Sequence, residues 1–362
     1  MLTAEGCRSR RQRLYAALPE KPPEGYLLLS DPLNLRYLAN VYIEPFSYAA
    51  DFDGILKIDE DGTATLFTDG RLPPSAAKAC VDDTQASKWY DGNTAGRGSR
   101  SYFPARFVAD NGGRLHDSLT DPIAESVQAT IARMRRQKDP DEVALLKSCM
   151  VAGAVGQDWA RHNLKAGMTE LAVYCGIFHA IAEHLGHWAM VYGDFAVSPG
   201  TSRKGGPPTS KVVADGDMMI IDYSVILSGY RSDYTNTLVV GGKPNAEQVR
   251  LFDACVAAMK AGEVKLRAGT TCQSVYDAVM GAFVERDLGS AFPHHAGHGL
   301  GISHPEAPFL VRQSSETLLA GDVVTLEPGA YVDGIGGIRI EHNYLITADG
   351  YETLSHHTIA LV

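Results

Sequence analysis

The chain has 362 residues, of which 45% are hydrophobic and 21% charged, a composition typical of a globular protein with one or two full-sized cores. This excludes a disulfide-stabilised miniprotein, a coiled coil and a wholly disordered chain. Acidic residues outnumber basic residues by 43 to 33, which gives a net charge of −10. We therefore expect neither nucleic acid nor an anionic membrane as a partner.

The chain contains six cysteines and no CxxC pair, which predicts reduced thiols rather than a zinc ribbon or a disulfide framework. The N-terminal segment has no apolar run of signal-peptide length, and no stretch is long and apolar enough for a transmembrane helix. We therefore expect a cytoplasmic protein that does not span a membrane.

Short apolar runs alternate with turn residues in the first third of the chain. The runs at 25–29, 55–58 and 63–67 predict strands, and Glu60-Asp61-Gly62 predicts a hairpin between the last two. This pattern ends in the charged stretch 133–138, where Asp139-Pro140-Asp141-Glu142 then supplies a helix cap, a first-turn proline and a reciprocal acid. We predict an α/β N-terminal domain over 1–138 and a second domain over 139–362.

The second domain contains an internal repeat. Leu164-Lys165-Ala166-Gly167-Met168-Thr169 recurs as Leu266-Arg267-Ala268-Gly269-Thr270-Thr271. Each copy is interpreted as a helix that ends at a glycine in the C′ position, followed by a threonine that caps the next helix. A second capping pair, Asn245 with Gln248, begins another helix. Because a segment that favours a sheet follows each copy, we predict two similar helix-helix-sheet halves of about a hundred residues.

Two acids lie near the ends of adjacent apolar segments. Met218-Met219-Ile220-Ile221 leads to Asp222, and the chain returns past Ser228-Gly229 to Asp233. A two-residue loop at 227–228 would place Asp222 opposite Asp233, and a loop at 228–229 would make them diagonal neighbours. Both registers put the carboxylates on one face. Such a pair is unfavourable unless a proton or a cation lies between the two groups. The alternative interpretation is that each aspartate is an exposed residue at the end of its strand.

A second pair of acids follows the same logic. Glu327 ends the apolar run 323–326, and Glu341 follows Ile338-Arg339-Ile340. Between the two pairs, Gly297 and Gly299 flank His298 and leave room for its imidazole. Two divalent cations would neutralise four carboxylates, and an oxygen-rich donor set favours manganese, cobalt or iron over a sulfur-seeking metal.

The spacing of these five residues resembles the ligand signature of the pita-bread metallopeptidases, which include prolidase, Xaa-Pro aminopeptidase, methionine aminopeptidase and the metal-free creatinase. The resemblance is dense from about residue 139 onwards and thinner before it, at Leu35-Arg36-Tyr37-Leu38. The short interval from Glu327 to Glu341 and the N-terminal domain favour the prolidase and Xaa-Pro aminopeptidase branch. The implied fold is an α/β N-terminal domain followed by an α+β pita-bread catalytic domain with an internal pseudo-twofold duplication.

The resemblance also implies roles for individual residues. Asp222 would bind one metal ion, His298 and Glu327 the other, and Asp233 and Glu341 would bridge the two. The ions would be manganese, with cobalt, iron or zinc as alternatives, and would activate a water for attack on an amide. Glu327 would also pass a proton from that water to the leaving amine.

Two neighbours of these ligands, Thr235 and Arg339, are expected to orient the carboxylates; the alternative is that they are ordinary strand residues. Members of the family are commonly dimers, so the resemblance implies a homodimer.

Three positions depart from the family pattern. A substrate-binding histidine of the family falls on Gly205 when residues are counted back from Gly216-Asp217 without gaps. A second family histidine falls on Pro305, one residue after His304. We expect His304 to reach the scissile carbonyl; otherwise it is a solvated loop residue. Asn236 stands where the family has an arginine.

The function that we expect from the sequence is a cytoplasmic, dinuclear metal-dependent peptidase of the Xaa-Pro aminopeptidase or prolidase type, which hydrolyses the N-terminal amide bond of small peptides. One alternative, motivated by the lost histidine, is a non-peptide amide hydrolase or a lyase on the same fold. Another is a non-catalytic metal-binding interaction module. The complete ligand set argues against the module, because clustered acids repel one another without metal.

Overall fold

A computed structural model describes residues 1–42, 54–69, 76–87, 93, 103–198 and 205–362. These residues form two compact units, one of Met1–Arg135 with Asp139–Glu142 and the other of Arg136–Lys138 with Val143–Val362. We call them unit 1 and unit 2, and we retain 1–138 and 139–362 as the proposed domains. Within the described ranges, no helix combines the length and the apolarity needed to cross a bilayer.

Unit 1 is an α/β structure built on a four-stranded sheet in the order β1-β2-β3-β4. The neighbours β1/β2 and β2/β3 are antiparallel, whereas β3 and β4 are parallel. Its elements are α1 Ala4–Ala17, β1 Tyr26–Leu29, α2 Pro32–Ala39, β2 Gly54–Asp59, β3 Ala64–Asp69, β4 Asp83–Ser87, α3 Phe103–Asn111 and α4 Ala124–Arg136, which ends in unit 2.

The three strands predicted in the first third are confirmed as β1, β2 and β3, and so is the hairpin between β2 and β3. The hairpin loop has three residues, because the Asp59 N–H donates to the Thr63 carbonyl at 2.9 Å. Gly62 has a φ of +82°, the left-handed conformation that glycine adopts at no steric cost.

Over its described residues, unit 2 contains four α-helices, two larger sheets and a separate hairpin. The first sheet has β6 at its centre, paired with β5, β7 and β8, the second has the order β10-β9-β11-β14-β15, and β12 pairs with β13. The elements are α5 Pro140–Asn163, α6 Glu170–Leu185, β5 Met190–Ser198, β6 Met218–Leu227, β7 Tyr230–Arg231, β8 Tyr234–Val239, α7 Ala246–Glu263, α8 Cys272–Val284, β9 Gly297–Gly299, β10 Glu306–Leu310, β11 Val323–Leu326, β12 Gly329–Val332, β13 Gly336–Arg339, β14 His342–Ile346 and β15 Tyr351–Thr353.

The predicted duplication is confirmed as two helix-helix-sheet halves. Thr169 caps α6 and Thr271 caps α8, each through its side chain. The buried positions of the two helices also correspond: Val173, Ile177 and Ile181 on α6 match Val275, Val279 and Phe283 on α8. These residues recur every four positions, which places them on one helix face toward a core.

The helix ends in the repeat differ from the sequence interpretation. We expected Gly167 and Gly269 in C′ positions, but α5 ends at Asn163 and α7 at Glu263. The N–H groups of the two glycines donate instead to the carbonyls of Val213 and Leu318, at 2.9 and 2.8 Å. The glycines therefore join the turn before the next helix to a neighbouring extended segment, and they do so in the same way in both halves.

The capping pair predicted at the start of α7 is complete, and the reciprocal bond of the pair predicted at 139–142 is present. Asn245 and Gln248 form a complete capping box at the start of α7, and the Glu142 side chain accepts from the Asp139 N–H at 2.9 Å. These bonds satisfy backbone donors that would otherwise lack a partner in the first turn of a helix.

The hairpin that carries the first two acids has its loop at Ser228-Gly229. Leu227 pairs with Tyr230, and Asp222 pairs with Thr235 on β8. Ser228 and Gly229 have φ values of +49° and +84°, as a type I′ turn requires at both central residues. Of the two registers considered above, this is the one in which Asp222 and Asp233 are diagonal neighbours.

Candidate metal centre

Asp233 lies at a corner between β7 and β8, and Asn343 on β14 holds that corner. The Asn343 Oδ1 accepts from the Asp233 N–H at 3.3 Å, and its Nδ2 donates to the Asp233 carbonyl. A single amide side chain therefore fixes both backbone groups of this aspartate. Because β14 belongs to the second half of unit 2, these bonds also join the two halves at the acid pair.

Glu341 is tied to the first half by a backbone bond and a side-chain bond to the same residue. Its N–H donates to the Thr235 carbonyl at 2.9 Å, and the Thr235 hydroxyl donates to Glu341 Oε2 at 2.7 Å. Thr235 is opposite Asp222 in the β6/β8 ladder. The expected orienting contact of Thr235 is therefore present, and it is directed to Glu341.

His298 lies on β9 with its side chain almost fully buried. Its Nδ1–H donates to the Gly299 carbonyl at 2.9 Å, which leaves Nε2 with a free lone pair. This Nε2 lies 3.4 Å from Glu327 Oε1 and 3.6 Å from Asp233 Oδ2. A Cβ on Gly297 would overlap the Thr325 carbonyl, so the glycine permits the close approach of two backbones.

The structure brings all five predicted ligands to one cavity of about 410 Å³, together with His304 and Arg339. Ligand atoms of Asp222, Asp233 and Glu341 all lie within 4.8 Å of one another, and so do those of Asp233, His298 and His304. Asp233 belongs to both groups, which is the position that a bridging ligand would occupy.

The carboxyl groups have strongly perturbed pKa values. Burial raises the pKa of Asp222 to about 7, against the opposing effect of the Arg339 charge. Burial and the nearby Asp233 charge raise the pKa of Glu341 well above its ordinary range. Burial is the largest single effect on Asp233 and acts to raise its pKa, but the hydrogen bond from His304 Nε2, at 3.0 Å, and the charges of His304, His298 and Arg231 together lower it.

These residues fit a divalent cation. Glu341 is 1% exposed, and its Oε1 has no hydrogen-bond partner among the residues that the structure describes. An unpaired buried carboxylate oxygen beside two aspartates is costly unless a cation or a proton compensates it. Carboxylate oxygens with imidazole nitrogen are donors suited to manganese, iron, cobalt or zinc.

Arg339 connects the acids to the rest of the cavity wall. Its Nε donates to Asp222 Oδ2 at 3.0 Å, and its Nη2 donates to the same oxygen. Nη2 also donates to Asp194 Oδ2 at 3.2 Å, and Nη1 donates to the Tyr331 hydroxyl at 2.8 Å. The Tyr331 hydroxyl also lies 3.2 Å from His294 Nε2. Arg339 is therefore hydrogen-bonded to Asp222, and its orienting role stays a prediction.

The position that lacks the family histidine lies beside Asp194. A Cβ on Gly205 would overlap the Asp194 carboxylate, and Asp194 Oδ1 accepts from the neighbouring Gly206 N–H at 2.8 Å. Asp194 lines the cavity and its side chain is 41% exposed. A carboxylate thus fills the space into which a side chain at position 205 would extend.

Asn236, where the resemblance implies an arginine, bonds to the Ala360 backbone. Its Nδ2 donates to the Ala360 carbonyl at 2.9 Å, and its Oδ1 accepts from the Ala360 N–H at 3.3 Å.

Sequence reasoning assigned no role to Asp194, His294 and His295, which line the cavity, or to Tyr331, whose hydroxyl accepts from Arg339. Asp194 pairs with Asp222 across β5 and β6, a pairing that no motif in the sequence reveals. The two histidines precede the Gly297-His298-Gly299 signal by only a few residues, so proximity could have identified them. His295 Nδ1 lies 3.5 Å from Glu327 Oε1.

A third group of acids, Asp139, Asp141 and Glu142, lies in unit 1 and surrounds a cation of the chain itself. Arg10 Nη1 is 2.9 Å from Asp141, 3.1 Å from Asp139 and 3.8 Å from Glu142. The guanidinium compensates these carboxylates, so we assign no metal to them.

Comparison with known proteins gives consistent matches. The model of metallopeptidase family M24 matches residues 144–348. An uncharacterized peptidase of Staphylococcus aureus is 30% identical over 236 residues, or 64% of this chain and 66% of that protein, so the match spans just under two thirds of the relative's length. The uncharacterized peptidase YqhT of Bacillus subtilis is 30% identical over 259 residues, or 68% of this chain and 69% of that protein.

Solved structures share the fold over nearly the whole chain. An Xaa-Pro dipeptidase from Bacillus anthracis has a TM-score of 0.77 at 24% identity and covers 98% of this chain and 99% of its own. An X-Pro aminopeptidase from Thermotoga maritima has a TM-score of 0.78 at 22% identity, with 97% and 99% covered. These likenesses confirm the expected α/β N-terminal domain followed by a pita-bread domain.

The raised pKa values predict how stability depends on pH. In metal-depleted protein, the folded chain holds protons on Asp222 and Glu341 that the unfolded chain has released. The free energy of unfolding should therefore fall by on the order of 2 kcal/mol as pH rises from the ordinary carboxyl range through about 7. Manganese favours the ionised carboxylates, so its stabilising effect should increase over the same range. Urea unfolding with chelator and with manganese, at several pH values, measures both trends.

Two variants test the origin of this pH dependence. Asp222→Asn should flatten the curve for metal-depleted protein, whereas Asp253→Asn, at an exposed position on α7, should leave it unchanged. Superimposable curves with and without manganese at every pH would contradict a cation site at these acids.

Proposed function

We propose that this chain, which belongs to metallopeptidase family M24, is a dinuclear metal-dependent peptidase of the Xaa-Pro aminopeptidase or prolidase type. It would hydrolyse the N-terminal amide bond of small peptides. The observation that carries the proposal is the convergence of the five side chains in one cavity. Ligand atoms of Asp222, Asp233 and Glu341 lie within 4.8 Å of one another, and His298 Nε2 lies 3.6 Å from Asp233 Oδ2 and 3.4 Å from Glu327 Oε1, which suits a pair of ions. We further propose that the protein is cytoplasmic, because its six cysteines are free. We also propose that it is a homodimer, because members of the family that it resembles are commonly dimers.

The proposed ligands are Asp222 for one ion, His298 and Glu327 for the other, and Asp233 and Glu341 for both. Two divalent ions held by these residues would supply Lewis acidity and would lower the pKa of a bound water toward neutrality. We propose manganese, with cobalt, iron or zinc as alternatives, since the donors are mainly oxygen.

Glu327 is the proposed acid and base. Its side chain is 12% exposed and lies beside His298 Nε2, and its Oε1 accepts from the Thr325 hydroxyl at 3.3 Å. This bond holds the carboxylate at the cavity edge, where Oε1 can take a proton from water and return it to the leaving amine.

His304 is the proposed donor to the scissile carbonyl. Its side chain is 34% exposed and lines the cavity, and the hydrogen bond to Asp233 raises the pKa of its imidazole. A protonated imidazole in this position can donate to the oxygen on which negative charge develops during attack. We therefore propose that His304, one residue before the family position, supplies the imidazole of this role.

A second reaction on the same site is favoured by the surroundings of Gly205. Since Asp194 occupies this part of the wall, a negative charge replaces an imidazole that could bind a substrate carbonyl or carboxylate. A substrate whose C-terminal carboxylate approaches Asp194 would be repelled. This repulsion favours longer peptides or non-peptide amides over free dipeptides as substrates. The alternative to the proposed peptidase is therefore a non-peptide amide hydrolase or a lyase that uses the same site.

Substrate profiling tests the proposed function. The manganese-loaded protein should hydrolyse Xaa-Pro dipeptides at least about tenfold less efficiently, in kcat/KM, than longer Xaa-Pro peptides or non-peptide amides. Asp194→Asn should reduce this difference by removing the repulsion. Product analysis in H₂¹⁸O separates hydrolysis from elimination, because only hydrolysis incorporates the label. An absence of turnover on the whole panel, or a narrow and efficient dipeptidase, would contradict the proposal.

The role of His304 is tested by His304→Ala. The variant should lose about a hundredfold in kcat, since a donor to the transition state is removed, while its metal content stays at the wild-type level. His179→Ala changes an exposed histidine on α6 and should have no effect. Loss of metal together with activity would instead identify His304 as a ligand, and unchanged kcat and KM would remove it from the mechanism.

A further inference from the structure

His304 belongs to the loop that joins β9 to β10. Its Nε2 lies 3.0 Å from Asp233 Oδ2, and its ring lines the cavity. The first residue of β10, Glu306, follows two positions later and pairs with Gly299 of β9. A side chain on a loop is placed only as precisely as the backbone that carries it. The position of this imidazole therefore depends on the contacts that hold the loop.

The Glu306 carboxylate holds the backbone next to His304. Its Oε2 accepts from the Ser303 N–H at 3.2 Å, so this side chain reaches back over three residues. Gly301 leaves room for it, because a Cβ at this position would overlap Glu306 Oε1. The loop is therefore closed on itself by one carboxylate, directly before the residue that carries the imidazole.

Lys138 supplies the positive charge that this carboxylate faces. Its Nζ donates to Glu306 Oε1 at 2.9 Å, and the two side chains are 1% and 10% exposed. Removal of one partner of such a buried pair leaves the other charge uncompensated in the interior. Without the lysine, Glu306 would turn toward water and release the Ser303 N–H.

The backbone at Lys138 is also held in place. Its N–H donates to the Gly321 carbonyl at 3.0 Å. Two residues earlier, the Arg136 guanidinium donates to the Thr317 carbonyl at 2.7 Å and to Asp322 Oδ1 at 3.0 Å. These bonds attach the chain before α5 to the loop between β10 and β11. The lysine is therefore fixed at its backbone as well as at its ammonium group.

We propose that Lys138 is a positioning residue for His304. Its ammonium group fixes the Glu306 carboxylate, this carboxylate fixes the Ser303 N–H, and the loop then presents the imidazole beside Asp233. Lys138 is not among the described residues that line the cavity, so its effect on catalysis is indirect. The inference rests on the proposed function, in which this imidazole donates to the scissile carbonyl.

Lys138→Met removes the charge and nearly preserves the length of the side chain. In the manganese-loaded protein, kcat on the best substrate of the panel should fall about tenfold, because a displaced donor stabilises the transition state less. KM should change by less than about twofold, and manganese content should stay at the wild-type level. The matched control is Lys147→Met, which removes an exposed lysine paired with Glu352 at 2.6 Å and should change none of these quantities.

Combination with His304→Ala distinguishes positioning from general support of the fold. If Lys138 acts through the imidazole, Lys138→Met/His304→Ala should lose no more kcat than the loss of about a hundredfold expected for His304→Ala alone. Independent effects would multiply to about a thousandfold. That product, a wild-type kcat in Lys138→Met, or loss of manganese from this variant would overturn the proposal. A wild-type kcat in His304→Ala would refute the role of His304 in the proposed function, and this proposal with it.

Backbone amide exchange tests the loop without a substrate. The Ser303 N–H should exchange at least about tenfold faster in Lys138→Met than in the wild-type protein, because its acceptor is released. The Leu300 N–H donates to the Val323 carbonyl at 2.8 Å and should keep its rate. Equal Ser303 rates in the two proteins would overturn the proposal even if no substrate were found.

A second variant keeps the test decisive if Lys138→Met does not fold. Lys138→Met/Glu306→Gln leaves no unpaired charge in the interior and retains an oxygen that can accept from the Ser303 N–H. Neutral replacement of a buried ion pair is often tolerated, so kcat should be within about threefold of the wild-type value. A loss of about tenfold or more in this folded, manganese-loaded variant would overturn the proposed chain of contacts.

Discussion

Mutual repulsion among buried carboxylates is the constraint on which the architecture of unit 2 depends. Asp222, Asp233 and Glu341 place oxygens within 4.8 Å of one another, and one Glu341 oxygen is buried without a partner in the described chain. Among the residues that the structure describes, the guanidinium of Arg339 contacts Asp222. Such an arrangement persists only if protons or cations compensate it, and the raised pKa values of Asp222 and Glu341 express the same cost. Function and stability therefore depend on the same groups.

The duplicated halves explain how distant acids come together. The β6/β8 hairpin carries Asp222 and Asp233, the chain around β11 to β14 carries Glu327 and Glu341, and contacts between the two segments link them. Asn343 binds the backbone of Asp233, and Thr235 binds Glu341 twice. Each half alone would expose an acid pair at strand ends, and the pairing of the halves buries both pairs in one wall.

Local patterns in the sequence predicted the local features. The capping pairs, the strands of unit 1 and the hairpin at Ser228-Gly229 follow from turn and capping chemistry that acts over a few residues. The spacing of the four acids and the histidine predicted which residues would meet. The features that could not be predicted from the sequence depend on contacts between distant segments. Asp194 enters the cavity through its pairing with Asp222 across β5 and β6, and Gly167 bonds to Val213 rather than ending α5.

The central claim is that Asp233 and Glu341 each hold two metal ions, and elemental analysis after dialysis tests it most directly. Wild-type protein should retain two manganese ions per chain, and Asp233→Ala and Glu341→Ala should each lose most of both, because each substitution removes a contact to both ions. Asp253→Ala, at an exposed position, should retain the wild-type amount, and Thr235→Val should only weaken affinity. Wild-type metal content in both Asp233→Ala and Glu341→Ala would contradict the account.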